Sequence, residues 1–113
     1  MFDGQPKEIL LYEKEDGRQP FTEWLRALPD RKARAQVRKR LDRLELLGHP
    51  GDYKSLGDGL YELRIDLGPG YRLYLALSGR HAVLLLCGGD KATQQRDIER
   101  AQDYWLDYQQ RQI

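Results

Sequence analysis

Arg64, Arg72 and Lys91 stand at spacings that would gather cationic side chains around one phosphate. A guanidinium stays charged and donates bidentately to phosphate oxygens, and a lysine adds a compact charge or carries a proton. In outline this is an RNA-cleaving constellation. It requires elements that hold the three residues side by side.

Periodicity supplies those elements. In 60–66, Tyr61, Leu63 and Ile65 alternate with Glu62, Arg64 and Asp66; in 71–77, Tyr71, Leu73, Leu75 and Leu77 alternate with Arg72, Tyr74 and Ala76. Both segments read as half-buried strands. Leu67-Gly68-Pro69-Gly70 between them has the glycines and proline of a tight hairpin. Pairing Tyr61, Leu63 and Ile65 with Leu75, Leu73 and Tyr71 puts Arg64 opposite Arg72 and Glu62 opposite Tyr74. Directly opposed like charges destabilise a sheet, so the pair calls for a shared acidic partner or an anionic ligand. Glu62 and Asp66 are the acids at hand for the first. On the second, loss of either arginine relieves repulsion and leaves the melting point unchanged or slightly raised.

A third strand is expected over Ala82–Cys87, a continuous apolar run suited to a central position, following a turn at Ser78-Gly79-Arg80-His81. Lys91 then precedes a helix with Thr93 as its cap, where backbone amides favour an anion. The glycine spacing of a nucleotide-binding loop is missing before that lysine. Upstream, Ile9–Glu13 reads as a short strand. Phe21, Trp24, Leu25 and Leu28 mark one helical face, and Ala33, Val37, Leu41 and Leu44 mark another that runs from Asp30 to a stop at Gly48. Ile98, Ala101, Trp105 and Tyr108 form the last stripe. The expected fold is α+β, in the order β-α-α-β-β-β-α, with helices packed on a mostly antiparallel sheet.

The 113 residues suit a single domain over 1–113, and the net charge of +1 leaves nucleic-acid affinity to local patches. One such patch lies between Arg26 and Arg43, where Arg31, Lys32, Arg34, Arg38, Lys39 and Arg40 face only Asp30 and Asp42. It suits RNA or an acidic protein partner. The lone Cys87 rules out an internal disulfide and, inside an apolar strand, reads as a buried thiol. The two histidines and the cysteine are widely separated, so no metal site and no cofactor are expected. No segment has the order of a signal peptide or the length of a membrane span, and the expected location is cytoplasmic.

Three runs carry a resemblance: Lys54-Ser55-Leu56-Gly57-Asp58-Gly59-Leu60-Tyr61-Glu62-Leu63-Arg64-Ile65; Gly68-Pro69-Gly70-Tyr71-Arg72; and Leu84–Lys91, followed by Thr93-Gln94, Asp97-Ile98 and Ala101. Together they resemble the addiction-module killer proteins of the RelE/HigB toxin superfamily, over nearly the whole chain and in the same element order. The resemblance implies a type II toxin that cleaves messenger RNA, often on the ribosome. Such a toxin is held inactive by a small helix-turn-helix antitoxin and meets operator DNA only through that complex.

Arg64 matches the family's leucine-arginine strand signature and Arg72 its tyrosine-arginine signature, while Lys91 matches the lysine after the last sheet strand. Lys54 stands where related toxins carry a basic residue, and His49 lies in a Gly-His-Pro-Gly loop where some use histidine. The implied chemistry needs no metal, because the RNA 2′-hydroxyl is the nucleophile and the protein positions it, moves its proton and stabilises the phosphorane. Lys91 or Lys54 would carry the proton if neighbouring cations lower its pKa. Tyr74, on the arginine face, would orient the nucleophile or stack a base. The C-terminal tyrosine or histidine of ribosome-dependent members has no clear counterpart, since Tyr104 and Tyr108 fall on a helix of core positions. Two alternatives stay open: a gyrase-poisoning toxin, which has no use for the sheet arginines, and a non-catalytic module that only docks an antitoxin or joins a DNA complex.

Overall fold

A computed structural model describes residues 2–112. Strand β1 (Glu8–Leu11) leads into helices α1 (Pro20–Ala27) and α2 (Arg31–Leu47). Strands β2 (Tyr53–Gly57), β3 (Leu60–Ile65), β4 (Tyr71–Ser78) and β5 (Ala82–Asp90) follow, and a single 3-10 turn (Lys91–Thr93) opens helix α3 (Gln94–Arg111). The sheet order is β1-β5-β4-β3-β2, with β1 parallel to β5 and the other pairs antiparallel. The α+β class and mostly antiparallel sheet are as expected. The additional strand is β2.

Strand β2 has no apolar alternation because it is an edge strand whose residues are almost all exposed. It pairs Tyr53 with Leu63 and Lys54 with Glu62, then slips at a bulge between Ser55 and Gly57. A lysine and a bulge are ordinary ways of blunting an edge against unwanted pairing. The Gly57-Asp58-Gly59 turn takes positive φ throughout, and the Trp105 indole N–H donates to the Asp58 carbonyl at 2.8 Å, tying the hairpin to α3.

The helix signals operate as physical caps. Asp30 accepts from the amides of Lys32 and Ala33 at the start of α2, and Gly48, at φ 70°, ends it in the left-handed conformation. Pro20 opens α1, where its missing N–H costs nothing. At α3 the expected cap is different. Thr93 makes no side-chain cap; Asp90 accepts from the Thr93 amide at 3.2 Å, and the Thr93 hydroxyl donates to Asp97. Lys91 thus begins a 3-10 turn rather than the α-helix itself.

The sheet is covered on both faces. On one side Phe21, Leu28, Ala33, Val37 and Leu44 of the first two helices pack on Leu63, Leu73, Leu75, Val83 and Leu85. On the other, Ala101 and Trp105 of α3 pack on Leu60, Tyr74, Ala76, Leu84 and Leu86. Strands β3 and β4 are therefore not half buried over most of their length, because α3 closes the second face. Gly88 lets the Trp24 indole lie directly on the strand, since a Cβ there would come within 2.3 Å of the ring. Gly88→Ala is expected to lower stability by about 1–3 kcal/mol, as overpacking of a filled site does; urea unfolding measures it, and an unchanged midpoint would mean the indole moves aside freely.

Candidate nucleic-acid interface

Register brings the arginines together as the alternation requires. Arg64 pairs with Arg72, Glu62 with Tyr74 and Lys54 with Glu62, so Lys54, Glu62, Arg64, Arg72 and Tyr74 share the α3 face. That cluster lies where α3 begins, with Gln94 of its first turn reaching Glu62.

Glu62 sits at the centre, fully buried. Its carboxylate accepts from Arg64 Nε at 3.1 Å, from the Tyr74 hydroxyl at 3.0 Å and from Gln94 Nε2 at 3.0 Å, while Arg72 Nε stands 3.8 Å away. Burial pushes the carboxyl upward, but these hydrogen bonds and the Arg72 charge outweigh it and hold the group below its ordinary range. The shared acid is Glu62 alone; Asp66 is exposed and in no ion pair among the described residues.

The two guanidinium groups differ in setting. The Arg64 side chain is 38% exposed and the Arg72 side chain 13%. Arg72 Nη1 donates to the Gly70 carbonyl at 3.0 Å, and its buried Nε finds no hydrogen-bond partner among the described residues. Lys91 joins this end of the sheet: a Cβ on Gly70 would lie 3.4 Å from Arg72 Nη1 and 3.8 Å from Lys91 Cβ. Lys54 and Lys91 are both exposed.

Two expected contributors are placed otherwise. Tyr74 is fully buried, with no ring face for a base to stack on, and burial together with the Glu62 charge pushes its hydroxyl far above the usual tyrosine range. It anchors Glu62 as a neutral donor. His49 is exposed in the loop that closes α2, where its backbone N–H donates to the Arg43 carbonyl at 3.3 Å. Its imidazole makes no hydrogen bond or ion pair with the cluster among the described residues.

Glu62 and Arg40 are the residues that sequence reading underrated. Arg40 belongs to the basic run of α2, yet its half-buried guanidinium donates to the carbonyls of Arg64, Pro50 (2.6 Å) and Asp52 (2.9 Å). It fastens the end of β3 to the loop before β2. The sequence signal for Glu62 was its pairing with Tyr74 between two cations, which becomes informative only once the face is known to be covered. Cys87 is buried as expected, its thiol pushed up to about 12 chiefly by burial. Among the described residues, no three His, Cys, Asp or Glu side chains are grouped to hold a metal ion, and no helix is long and apolar enough to cross a membrane.

Residues 23–105 match the family described as Phage derived protein Gp49-like. The chain belongs to that family. It is one associated with the toxins of toxin-antitoxin systems of RelE/HigB-like type. The matched segment contains every residue of the Glu62 cluster together with Lys54 and Lys91. The chain is also 49% identical over 81 residues to an uncharacterized protein of Haemophilus influenzae (strain ATCC 51907 / DSM 11121 / KW20 / Rd), covering 72% of this chain and 81% of that protein.

Proposed function

We propose that this Gp49-like protein is the toxin of a type II toxin-antitoxin pair and acts as a metal-independent messenger-RNA endoribonuclease. The observation that carries the reading is two opposed guanidinium groups sharing one buried carboxylate. Glu62 compensates one of the two positive charges, holding Arg64 by a hydrogen bond and attracting Arg72 across 3.8 Å. The remaining charge and the uncommitted outward donors suit a phosphate.

In this reading the RNA 2′-oxygen attacks the adjacent phosphorus and the bond from phosphorus to the 5′-oxygen breaks. Arg64 and Arg72 hold the non-bridging oxygens as charge builds on them. Lys54 and Lys91, both exposed, divide the proton transfers: one, acting as the neutral amine, receives the 2′-hydroxyl proton, and the other, as the ammonium, supplies one to the leaving 5′-oxygen. Tyr74 acts through Glu62 as a positioning residue. His49 and Cys87 have no step.

Cleavage by the purified protein, with ribosomes supplied where required, is expected to survive EDTA and to leave a 5′-hydroxyl with a 2′,3′-cyclic or 3′-phosphate. An oligonucleotide with 2′-deoxy at the cut position should stay intact. Cutting of that substrate, or strict dependence on added Mg²⁺, would sink the chemistry. Mapping messenger-RNA ends after induced expression tests the toxin reading in cells, and unchanged ends would contradict it.

A second reading has its own support: Arg64 donates a hydrogen bond directly to Glu62, as in a purely structural ion pair. Activity per folded molecule separates the two.

A further inference from the structure

On the opposite sheet face from the Glu62 cluster, α1, α2 and the edge strand β1 enclose a groove of about 750 Å³. Leu11, Phe21, Leu25 and Leu41 give it an apolar floor, and Leu11 is 42% exposed. Its rim carries Arg26, Arg31, Arg34 and Arg38 and no acidic residue. None of these four arginines forms an ion pair among the described residues.

That arrangement is unfavourable for an isolated chain. Arg31 and Lys32 occupy the first turn of α2, where the helix dipole disfavours cations, and the neighbouring acidic group, the Asp30 cap, is engaged by the amides of Lys32 and Ala33. Arg31, Arg34 and Arg38 follow one another at spacings of three and four, so like charges are neighbours on the helix surface. An acidic occupant relieves both costs, and an apolar floor between basic walls is the complement of a helix with one apolar stripe and acidic flanks.

We infer that this groove is the docking site for an acidic amphipathic helix of a protein partner. Only the identification of that partner as the antitoxin rests on the proposed function; the groove chemistry stands without it. An occupant here lies across the sheet from Arg64 and Arg72. Docking is thus separable from the nuclease site.

The probe is a synthetic helical peptide with leucines at i, i+3, i+4 and i+7 and glutamates on both flanks, beside a twin with lysines in their place. Binding to the full chain is read by fluorescence anisotropy. The acidic peptide should bind at least about tenfold tighter than its twin, and the preference should shrink with salt. Arg34→Glu with Arg38→Glu should abolish or invert the preference, and Leu11→Asp should weaken the acidic peptide at least about tenfold with the circular dichroism unchanged. No binding of the acidic peptide, or equal binding of both, overturns the inference. So does a double variant that loses RNA-oligonucleotide binding but keeps the peptide, which assigns the rim to phosphates, or a dimer in sedimentation that Leu11→Asp dissolves, which assigns the groove to a second copy. RNA cleavage by the Arg34→Glu, Arg38→Glu chain should stay near that of the unaltered protein. If the unaltered protein cleaves no RNA, the nuclease reading fails while the peptide result stands.

Discussion

Arg64→Ala is expected to reduce RNA cleavage per folded molecule by about 10²- to 10³-fold, the usual loss when one donor to a developing oxyanion is removed. Its cost in stability should be at most about 1 kcal/mol, because the side chain is partly exposed and Glu62 keeps Arg72, Tyr74 and Gln94. Arg72→Ala should remove activity to a similar extent and destabilise more, by about 1–3 kcal/mol, since it strips a nearly buried counter-charge from a buried carboxylate. From charge opposition alone, removing either arginine leaves the melting point unchanged or raises it; the position of Glu62 reverses that sign. Kinetics on the refolded fraction with parallel urea titrations separate the two effects. Full specific activity in both variants would return the arginines to a purely structural role. Arg72→Lys is the finer test, because it keeps the charge and loses the fork, and it should lose most activity.

Glu62→Ala should be the most destabilising single change in this cluster, by about 3–5 kcal/mol, because it leaves Arg72 without its counter-charge and opens a void beneath α3. Glu62→Gln preserves the shape but presents its amide to donors, and should cost about 1–3 kcal/mol. The pH dependence follows from the depressed carboxyl. A group whose folded pKa lies below its unfolded value contributes fully above the ordinary glutamate value of 4.5, and that contribution is lost as pH falls through the depressed folded value. Urea midpoints of the unaltered protein should therefore fall on acidification below about pH 4.5, and Glu62→Gln should flatten part of that fall. If the two proteins lose stability in parallel, Glu62 is not an ionised anchor of the fold.

The pairing of Arg64 with Arg72 was legible in the sequence. A strand alternates with a period of two, so an apolar set on one face and a Gly-Pro-Gly turn between the segments leave one register that keeps that set together. The caps Asp30 and Gly48 were legible for a similar reason: they act on the backbone within a few residues of themselves. Strand β2 was not, because an exposed edge strand is chosen by its neighbour's free hydrogen bonds and leaves little hydrophobic pattern. Thr93 was misplaced as a cap because Asp90 and Asp97, on either side of it, compete for the same turn.

The sequence by itself determined the order of every element except the edge strand β2, the register of β3 on β4 and the gathering of cations at that hairpin, since each follows from local stereochemistry and the period of the chain. Only the tertiary structure decided what those cations do to stability. Covering the second sheet face with α3 buries Glu62 between Arg64 and Arg72 and removes Tyr74 from solvent, while the packing of α2 beside the 50–52 loop turns Arg40 from a surface charge into a staple. Desolvation depends on which distant segment packs above a residue, and no local pattern encodes that.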